Sequence, residues 1–537
     1  MSIKIIYAYE PNMVHRRVVP MSSFTVKALF FGSIFGLLFC ILNITIALKV
    51  GLAFGASFVA ALLGFIVLRG FGAYDPNENN VLQAAASGSY FSMFAMAIAI
   101  GGIGLMGLEL PSLLVTILIS VLGALIGIIF SQILYYPFIV EENLPYPTGT
   151  ATAGIITSLA DVGSTSFRYL LYSWIVGTVL YSLIKGGIIP SNIPPGLFIG
   201  CALSPLLIGF GMIIGWKACG MIFIGSLFSY AWWGYTGFPE SFSHHIQAPQ
   251  IMTTGTLMLV TTAIIAIFKL KGMFKGSFSI FTGRRTLLIL VIPFTLVLLT
   301  FLILSGTVFY TLLLFIIIIP FSFICAGFVG KAIGETGVSP VTPLGLLSLI
   351  MAGMLLRDAR IILLMAGFVG CVGLGAATMM NTFKVGKILG TAQKYLTLSQ
   401  SVGAITGVAG GCVVLYMLNS TYGFGTTDLP APISIAWSTV AESLTQGQLP
   451  SNISPLIGLI TVFATAILEY LKISATCVGI GILIPPSYSG ALLVGGIIQK
   501  LFSDKKLFNT QEIQSIAAGL ILGEGIVTLV VLLFKII

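Results

Sequence analysis

The sequence predicts an all-α, polytopic membrane protein with about 16 transmembrane helices, broken or re-entrant segments and two pseudo-symmetric halves. Charged residues make up only 8% of the 537 residues, whereas a soluble globular domain has roughly 25%. Hydrophobic residues make up 57%, and the mean hydropathy is +1.08. Apolar runs such as Leu287–Ser305 are too long for the alternating strands of a barrel. The backbone must therefore be helical, because only helices and closed barrels satisfy their backbone hydrogen bonds in lipid.

The apolar segments define the predicted spans, since a helix needs about 20 apolar residues to cross a bilayer. Full spans are predicted at 24–48, 51–70, 83–107, 111–137, 169–188, 194–215, 217–236, 252–270, 286–305, 309–331, 341–356, 361–380, 397–418, 453–471, 478–499 and 513–535. Two shorter apolar pieces, near 145–160 and 430–447, are predicted to be half-helices or re-entrant segments.

The basic residues predict the orientation in the membrane. They concentrate in the N-terminal segment 1–23 and in the linker 271–285, and both are predicted to be cytoplasmic under the positive-inside rule. The net charge of +9 does not predict nucleic-acid binding, because the basic residues form no stripe. We therefore expect a multi-pass protein of the plasma membrane or the bacterial inner membrane, in contact with lipid. The side of the C-terminus and the formation of a homo-oligomer stay open.

The linker 271–285 separates a first half at 24–270 from a second half at 286–537, and an internal repeat relates them. Glycines in the two halves match at a constant offset in residue number. Gly209, Gly211, Gly220 and Gly225 align with Gly479, Gly481, Gly490 and Gly495, an offset of 270 in each case. An even number of spans in each half predicts a parallel repeat with its axis along the membrane normal.

Motifs for nucleotide or metal chemistry are absent from the sequence. It contains no G-x-x-x-x-G-K-[ST] loop, no H-E-x-x-H and no G-x-S-x-G. The seven cysteines lie in apolar stretches and are interpreted as buried hydrophobes, and His244-His245 is interpreted as part of a polar surface loop. The protein is therefore predicted not to be an enzyme and to have no cofactor or bound metal. An intramembrane enzyme and a channel remain the alternatives.

The segment from Glu141 to Ala153 is the most informative for function. Pro145 and Pro147 forbid a regular helix across residues 144–147, and Gly149 allows close approach of a ligand to the backbone. Three threonine hydroxyls follow near the start of a half-helix, whose N-terminus attracts anions. Such a segment is typical of a substrate site in a transporter. An ordinary loop with an N-capping threonine is the alternative.

Two further segments, 334–343 and 484–490, also interrupt apolar runs with glycine and proline. With these in place, the chain resembles the oligopeptide transporter (OPT) family, which includes the yellow-stripe-like metal-chelate transporters. The resemblance rests on four motifs and covers nearly the whole chain. They are L-P-Y-P-T-G-T-A-T-A at 144–153, E-N-N-V-L-Q-A-A-A-S at 78–87, S-P-V-T at 339–342 and L-P-A-P at 429–432.

The resemblance implies proton-coupled uptake of short peptides or of peptide-like metal chelates of the siderophore or nicotianamine type. A metal would travel only as part of such a chelate. The family motif D-L-K-T-G corresponds here to Thr382–Gly386. This segment lacks the acid of the motif but keeps Lys384. The missing long hydrophilic loops indicate a compact microbial form. The predicted substrate-binding residues are Asn143, Pro145, Tyr146, Thr148, Gly149, Thr150, Thr152, Ser339, Pro340, Thr342 and Lys384.

Proton coupling requires a carboxylate at membrane depth, and few acids lie in or beside the apolar spans. The candidates are Glu335, Glu524, Glu109 and Glu142. Glu335 lies in the glycine-rich break beside the suspected site, and Glu109 precedes Pro111 between two spans. Glu524 has no basic residue within two turns of its own span, so it is interpreted as unpaired. A structural hydrogen bond to a neighbouring helix is the alternative for Glu524.

Overall fold

The computed structural model describes residues 24–49, 51, 55–159, 165–193, 201–235, 248–269, 295, 299, 308–336, 341–426, 429–447, 455–471 and 473–536. The predicted cytoplasmic segment 1–23, the linker 271–285 and His244-His245 lie outside these residues. The membrane fold is helical as predicted, with broken segments in both halves. The boundaries of the two halves stay a prediction.

The first half contributes ten helices among the described residues. They are α1 (Val26–Lys49), α2 (Ser57–Gly70), α3 (Pro76–Tyr90), α4 (Phe94–Leu105), α5 (Leu113–Tyr135), α6 (Pro147–Leu159), α7 (Thr165–Lys185), α8 (Pro205–Ile214), α9 (Trp216–Tyr235) and α10 (Pro249–Lys269). A π-helical turn at Tyr136–Glu141 extends α5. Two short antiparallel strands, β1 (Asn192–Ile193) and β2 (Cys201–Ala202), lie between α7 and α8.

The second half repeats this order in its described residues. Its helices are α11 (Val308–Thr336), α12 (Val341–Leu355), α13 (Ala359–Leu389), α14 (Gln393–Tyr422), α15 (Pro432–Gln446), α16 (Pro455–Tyr470), α17 (Ala475–Leu483), α18 (Pro486–Asp504) and α19 (Thr510–Ile536). Capping by nearby side chains explains where several of these helices begin. Asp358, for example, caps α13 by accepting hydrogen bonds from the backbone N–H groups of Arg360 and Ile361.

Six helical segments in the described part of the chain are long and apolar enough to cross a membrane, and a bent pair adds a seventh. That pair is α8 and α9, which meet at 120°. The predicted count of about 16 spans stays a prediction, because several predicted spans are shorter helices. The predicted span 341–356, for example, is the short helix α12. The two predicted half-helices are confirmed as the short helices α6 and α15.

The repeat predicted from the glycines reappears in the structure of the later helices. Ser204 and Ser474, which are related by the same offset, cap α8 and α17 through their side chains. A Cβ atom on Gly211 would collide with the carbonyl oxygen of Leu492, and one on Gly481 would collide with that of Ile222. Adding the offset of 270 to Gly211 gives Gly481, and subtracting it from Leu492 gives Ile222. The offset therefore converts the first contact into the second. The α8–α9 and α17–α18 hairpins are therefore related by a pseudo-twofold.

The earlier helices follow a larger offset, so the offset of 270 applies to the later helices only. Helices α6 and α15, which correspond to each other, begin at Pro147 and Pro432, and α2 and α12 correspond at nearly the same spacing. The change has a local cause. The connection from Lys185 to Pro205 is much longer than the one from Tyr470 to Ala475, because it contains β1 and β2.

Helices α3 and α13 form the centre of the molecule. Nearly all of α13 is buried, and it packs against α3, α4, α5, α6, α11 and α12. Helix α3 is also buried although its sequence is rich in amides and hydroxyls. A polar helix that is enclosed by other helices inside a membrane protein is a functional candidate, because polar groups there are expensive.

The reciprocal glycine contacts yield a prediction. Gly211→Ala and Gly481→Ala should each lower the thermal stability of the detergent-solubilised protein by a similar amount, because each new Cβ forces two helix backbones apart. Overpacking of this kind costs about 1–3 kcal/mol. Gly220→Ala is the control, since a Cβ there meets no atom within 4 Å. Strongly unequal effects of the two substitutions would contradict the pseudo-twofold.

Candidate functional site

The chain breaks between α5 and α6 at residues 142–147, which we call the first break. Asn143 and Tyr146 adopt positive φ angles of 45° and 42°. This left-handed conformation is uncommon for residues other than glycine, so the surrounding contacts must hold it. Pro147 is the first residue of α6, where its missing N–H is not needed.

Tyr146 fastens the first break to the C-terminal end of α11. Its backbone N–H donates to the Gly334 oxygen at 2.8 Å, and its phenol hydroxyl donates to the Gly330 oxygen at 3.0 Å. The side chain is fully buried. A Cβ on Gly334 would lie 2.9 Å from the Tyr146 ring, so the helix end accepts the ring only because residue 334 is glycine.

Three lysines surround the same break. The Lys384 ammonium donates to the Leu144 oxygen at 2.7 Å and to Asn143 Oδ1 at 3.3 Å. The Lys387 ammonium donates to the Ile139 oxygen at 2.7 Å. Lys331 forms an ion pair of 3.0 Å with Glu142. Lys384 and Lys387 therefore satisfy carbonyl oxygens left open where the helix ends, and Lys331 balances the charge of Glu142.

Helix α6 turns one predicted hydroxyl outward and keeps another inside. Gly149 packs against α13, where a Cβ would lie 2.7 Å from the Asn381 oxygen. Thr150 is exposed and Thr148 is half-buried, whereas Thr152 is fully buried. The Thr150 and Thr152 hydroxyls donate within the segment, to the oxygens of Pro145 and Thr148 at 2.6 Å and 2.8 Å.

The exposed residues of the first break and of the positions flanking it form a rim. Leu144 and Tyr146 point inward and are buried. The alternation leaves polar and charged groups accessible next to the positive N-terminus of α6. The rim consists of Glu141, Glu142, Asn143, Pro145, Pro147 and Thr150.

The remaining predicted site residues fall into three groups. Glu335 lies in the last turn of α11, directly after Gly334, and Thr342 lies in the first turn of α12. Ser339 and Pro340 lie outside the described residues. Glu109, a proton-coupling candidate, is exposed in the loop between α4 and α5.

Residues 429–432 form a second break that corresponds to the first. Ala431 has a φ of 47°, and its N–H donates to the Leu48 oxygen at the end of α1 at 2.7 Å. Pro432 then begins α15. In contrast to the first break, the residues from Leu429 to Trp437 are buried and uncharged. The two breaks share a backbone conformation but differ in their chemistry.

The interpretation of Glu524 as an unpaired acid is wrong. The carboxylate is fully buried, and Lys49 lies 3.1 Å from it. It also accepts hydrogen bonds from the Ser204 hydroxyl at 2.6 Å and from the Leu206 backbone N–H at 3.1 Å. Lys49 is 475 residues away in sequence, so inspection of the basic residues near Glu524 on its own helix does not reveal it.

The amides of α3 are site candidates that the sequence motifs alone did not reveal. Asn79 donates to the Ala61 oxygen and to the Tyr74 hydroxyl, which in turn donates to the Ile156 oxygen on α6. Asn79 Oδ1 and Gln83 Oε1 are buried without a hydrogen-bond partner. The signal is present in residues 76–82, which are mostly polar and precede the predicted span 83–107, although the helix already begins at Pro76.

Metal-ligating side chains do not cluster in the described part of the chain, where no three His, Cys, Asp or Glu residues meet. Five of the seven cysteines are buried and two, Cys201 and Cys477, are half-buried. The side chains that converge on the first break are instead lysines, carboxylates, an amide and hydroxyls. This set suits hydrogen bonds and ion pairs with an organic solute.

Comparison with known proteins agrees with this architecture. A stretch of 226 residues is 26% identical to a Saccharomyces cerevisiae protein named "Putative oligopeptide transporter YGL114W". The match covers 38% of this chain and 31% of that protein, so the chain spans less than a third of the relative's length. The family model described as "OPT oligopeptide transporter protein" matches residues 23–271 and 284–535. The chain therefore belongs to the OPT family of polytopic membrane proteins.

Proposed function

We propose that this protein is a secondary active transporter that imports short peptides across a cell membrane and draws its energy from a proton gradient. Peptide-like metal chelates of the siderophore or nicotianamine type are the second substrate class, because the resemblance includes metal-chelate transporters. The observation that carries the proposal is the first break, where lysines and carboxylates surround an exposed rim at the start of a half-helix.

A short peptide is a zwitterion, and the first break offers groups for both of its ends. The peptide carboxylate is attracted by Lys384, Lys387 and the N-terminus of α6. The peptide ammonium is attracted by Glu141 and Glu142, which are exposed on the same rim. Charges that are partly shielded from water interact more strongly than charges in bulk solvent. The site therefore favours a zwitterionic solute over a solute without charged groups.

Glu335 is the acid on which the proton-coupling proposal rests. It follows Gly334, whose oxygen receives the Tyr146 N–H, so its backbone lies beside the first break. Glu142 and Glu524 each form an ion pair with a lysine. The sequence contains no nucleotide-binding loop, so an ion gradient is the energy source that we propose.

Substitution of Lys384 tests the substrate carboxylate contact. Lys384→Met should raise KM for dipeptides at least tenfold, whereas the effect on the matching C-terminal peptide amides should be several-fold smaller. Lys384→Arg should retain part of the affinity, because it keeps the charge. Lys394→Met, which removes an exposed lysine on α14, is the control. Equal losses for peptides and amides would contradict a role in carboxylate recognition.

Cysteine labelling tests whether the rim contacts substrate. A cysteine at Thr150 should react with a water-soluble maleimide, and saturating peptide should slow the reaction, because Thr150 is exposed on the rim. A cysteine at Ser112, which is exposed in the loop before α5, should react at a rate that peptide does not alter. Iron–siderophore and metal–nicotianamine complexes tested in parallel identify the substrate class by which solute protects Thr150→Cys. Protection by none of these solutes would place the binding site elsewhere.

The coupling acid is tested in proteoliposomes with an imposed pH gradient. Glu335→Gln should abolish accumulation of substrate against its gradient but leave exchange of labelled for unlabelled substrate within about twofold. Glu109→Gln should accumulate substrate normally, because Glu109 lies in an exposed loop. Normal, pH-dependent accumulation by Glu335→Gln would exclude Glu335 as the proton carrier. Accumulation by the unmodified protein also separates a transporter from a channel or an intramembrane enzyme.

A further inference from the structure

The buried ion pair between Lys49 and Glu524 connects the two halves of the protein. Lys49 is the last residue of α1, and Glu524 lies in the middle of α19. The Glu524 carboxylate also holds Ser204 and the Leu206 N–H at the start of α8. One carboxylate from the second half therefore joins the ends of two helices of the first half.

The surroundings of the pair leave it little access to water. The Glu524 side chain is 0% exposed and that of Lys49 is 13% exposed. The Lys49 ammonium lies 5.9 Å from the centre of the Tyr181 ring, and Lys185 lies 5.7 Å from the same ring. Breaking one partner of such a pair leaves an uncompensated buried charge, so the pair strongly favours the arrangement in which it is formed.

The same end of α1 also holds the second break. The Leu48 oxygen accepts the Ala431 N–H, and the next residue, Lys49, contacts Glu524. A displacement of this helix end would therefore disturb the ion pair and the second break together. The ion pair and the second break are therefore coupled through the C-terminal end of α1.

At the positions related to Lys49 and Glu524 by the pseudo-twofold, the chain has different residue types. At the first break the corresponding helix end is Gly334, followed by Glu335. The position equivalent to Glu524 under the offset of the later helices is Thr254, on α10. The fold therefore does not require a carboxylate at this position, which points to a specific role for Glu524.

We propose that Lys49 and Glu524 form a latch between the halves, which keeps the second break closed and must open during transport. The proposal rests on the proposed transport function, since the latch gates access from one side. The uncharged lining of the second break fits a gate that stays sealed when the latch is formed. Opening separates α1 from α19 and breaks the Lys49–Glu524 contact, and closing restores that contact.

The test measures access to the second break with a cysteine at Ser434, which is 1% exposed on the first turn of α15. The background carries Cys201→Ser and Cys477→Ser, which remove the two half-buried thiols. The double substitution Lys49→Met with Glu524→Gln removes both charges, so no unpaired charge remains. We expect at least a tenfold faster maleimide reaction at residue 434, a tenfold loss of peptide uptake and a folded protein by thermal melting.

A second ion pair provides the matched control. Lys27 and Glu78 lie 3.3 Å apart and join α1 to α3 within the first half. Lys27→Met with Glu78→Gln should leave the reaction rate at residue 434 unchanged. An unchanged rate in the folded Lys49→Met, Glu524→Gln protein would overturn the latch, as would an equal increase in the control.

Two further variants make the result decisive if the double substitution does not fold. Lys49→Arg retains the charge and should react as slowly as the parent, whereas Glu524→Asp shortens the side chain and should react faster. A parent-like rate in Glu524→Asp would overturn the proposal. The labelling rate requires no transported substrate, so the latch is judged even if no peptide accumulates in the parent. Absence of accumulation would instead count against the proposed function.

Discussion

The structure depends on satisfying backbone hydrogen bonds wherever the chain stops being helical inside a membrane. Each break places a donor against the carbonyl end of a long helix from the opposite half, Tyr146 against Gly334 and Ala431 against Leu48. Lipid offers no replacement for these bonds, so irregular backbone must be buried in protein or line a cavity. The two helix ends are thereby tied to the two breaks, and any movement of one must move the other.

The pseudo-twofold preserves the backbone of the breaks but not their chemistry. The first break carries lysines and carboxylates on an accessible rim, whereas the second is apolar and enclosed. On the second side the charge lies on Lys49, the last residue of α1, and is neutralised by Glu524. This difference favours a division of labour in which the first break binds solute and the second seals the path. Under the proposed function, symmetric backbones with unequal side chains would allow the two breaks to act at different stages of transport.

The sequence predicted those features that depend on local chemistry. Pro145 and Pro147 exclude a regular helix across the first break, and Pro147 and Pro432 begin the two half-helices, so these features could be predicted from the sequence. The ion pair of Lys49 could not, because its partner lies 475 residues away. The amides of α3 were missed because residues 76–82 resemble a loop, and only packing reveals a buried helix. The larger offset of the earlier helices could not be predicted from the glycines, because it depends on the connection containing β1 and β2, which has no counterpart of equal length.

Lys384 connects the binding chemistry to the conformation of the first break. Its ammonium is buried and donates to the Leu144 oxygen and Asn143 Oδ1, so it holds the strained segment between α5 and α6. Under the proposed function, a substrate carboxylate would compete for the same ammonium, because a charged acceptor forms a stronger hydrogen bond than a neutral one. Binding would thus weaken the contacts that hold Asn143 and Tyr146 at positive φ. Under the proposed function, substrate then changes the conformational equilibrium through its differential affinity for the two states, which is the requirement for coupling occupancy to movement.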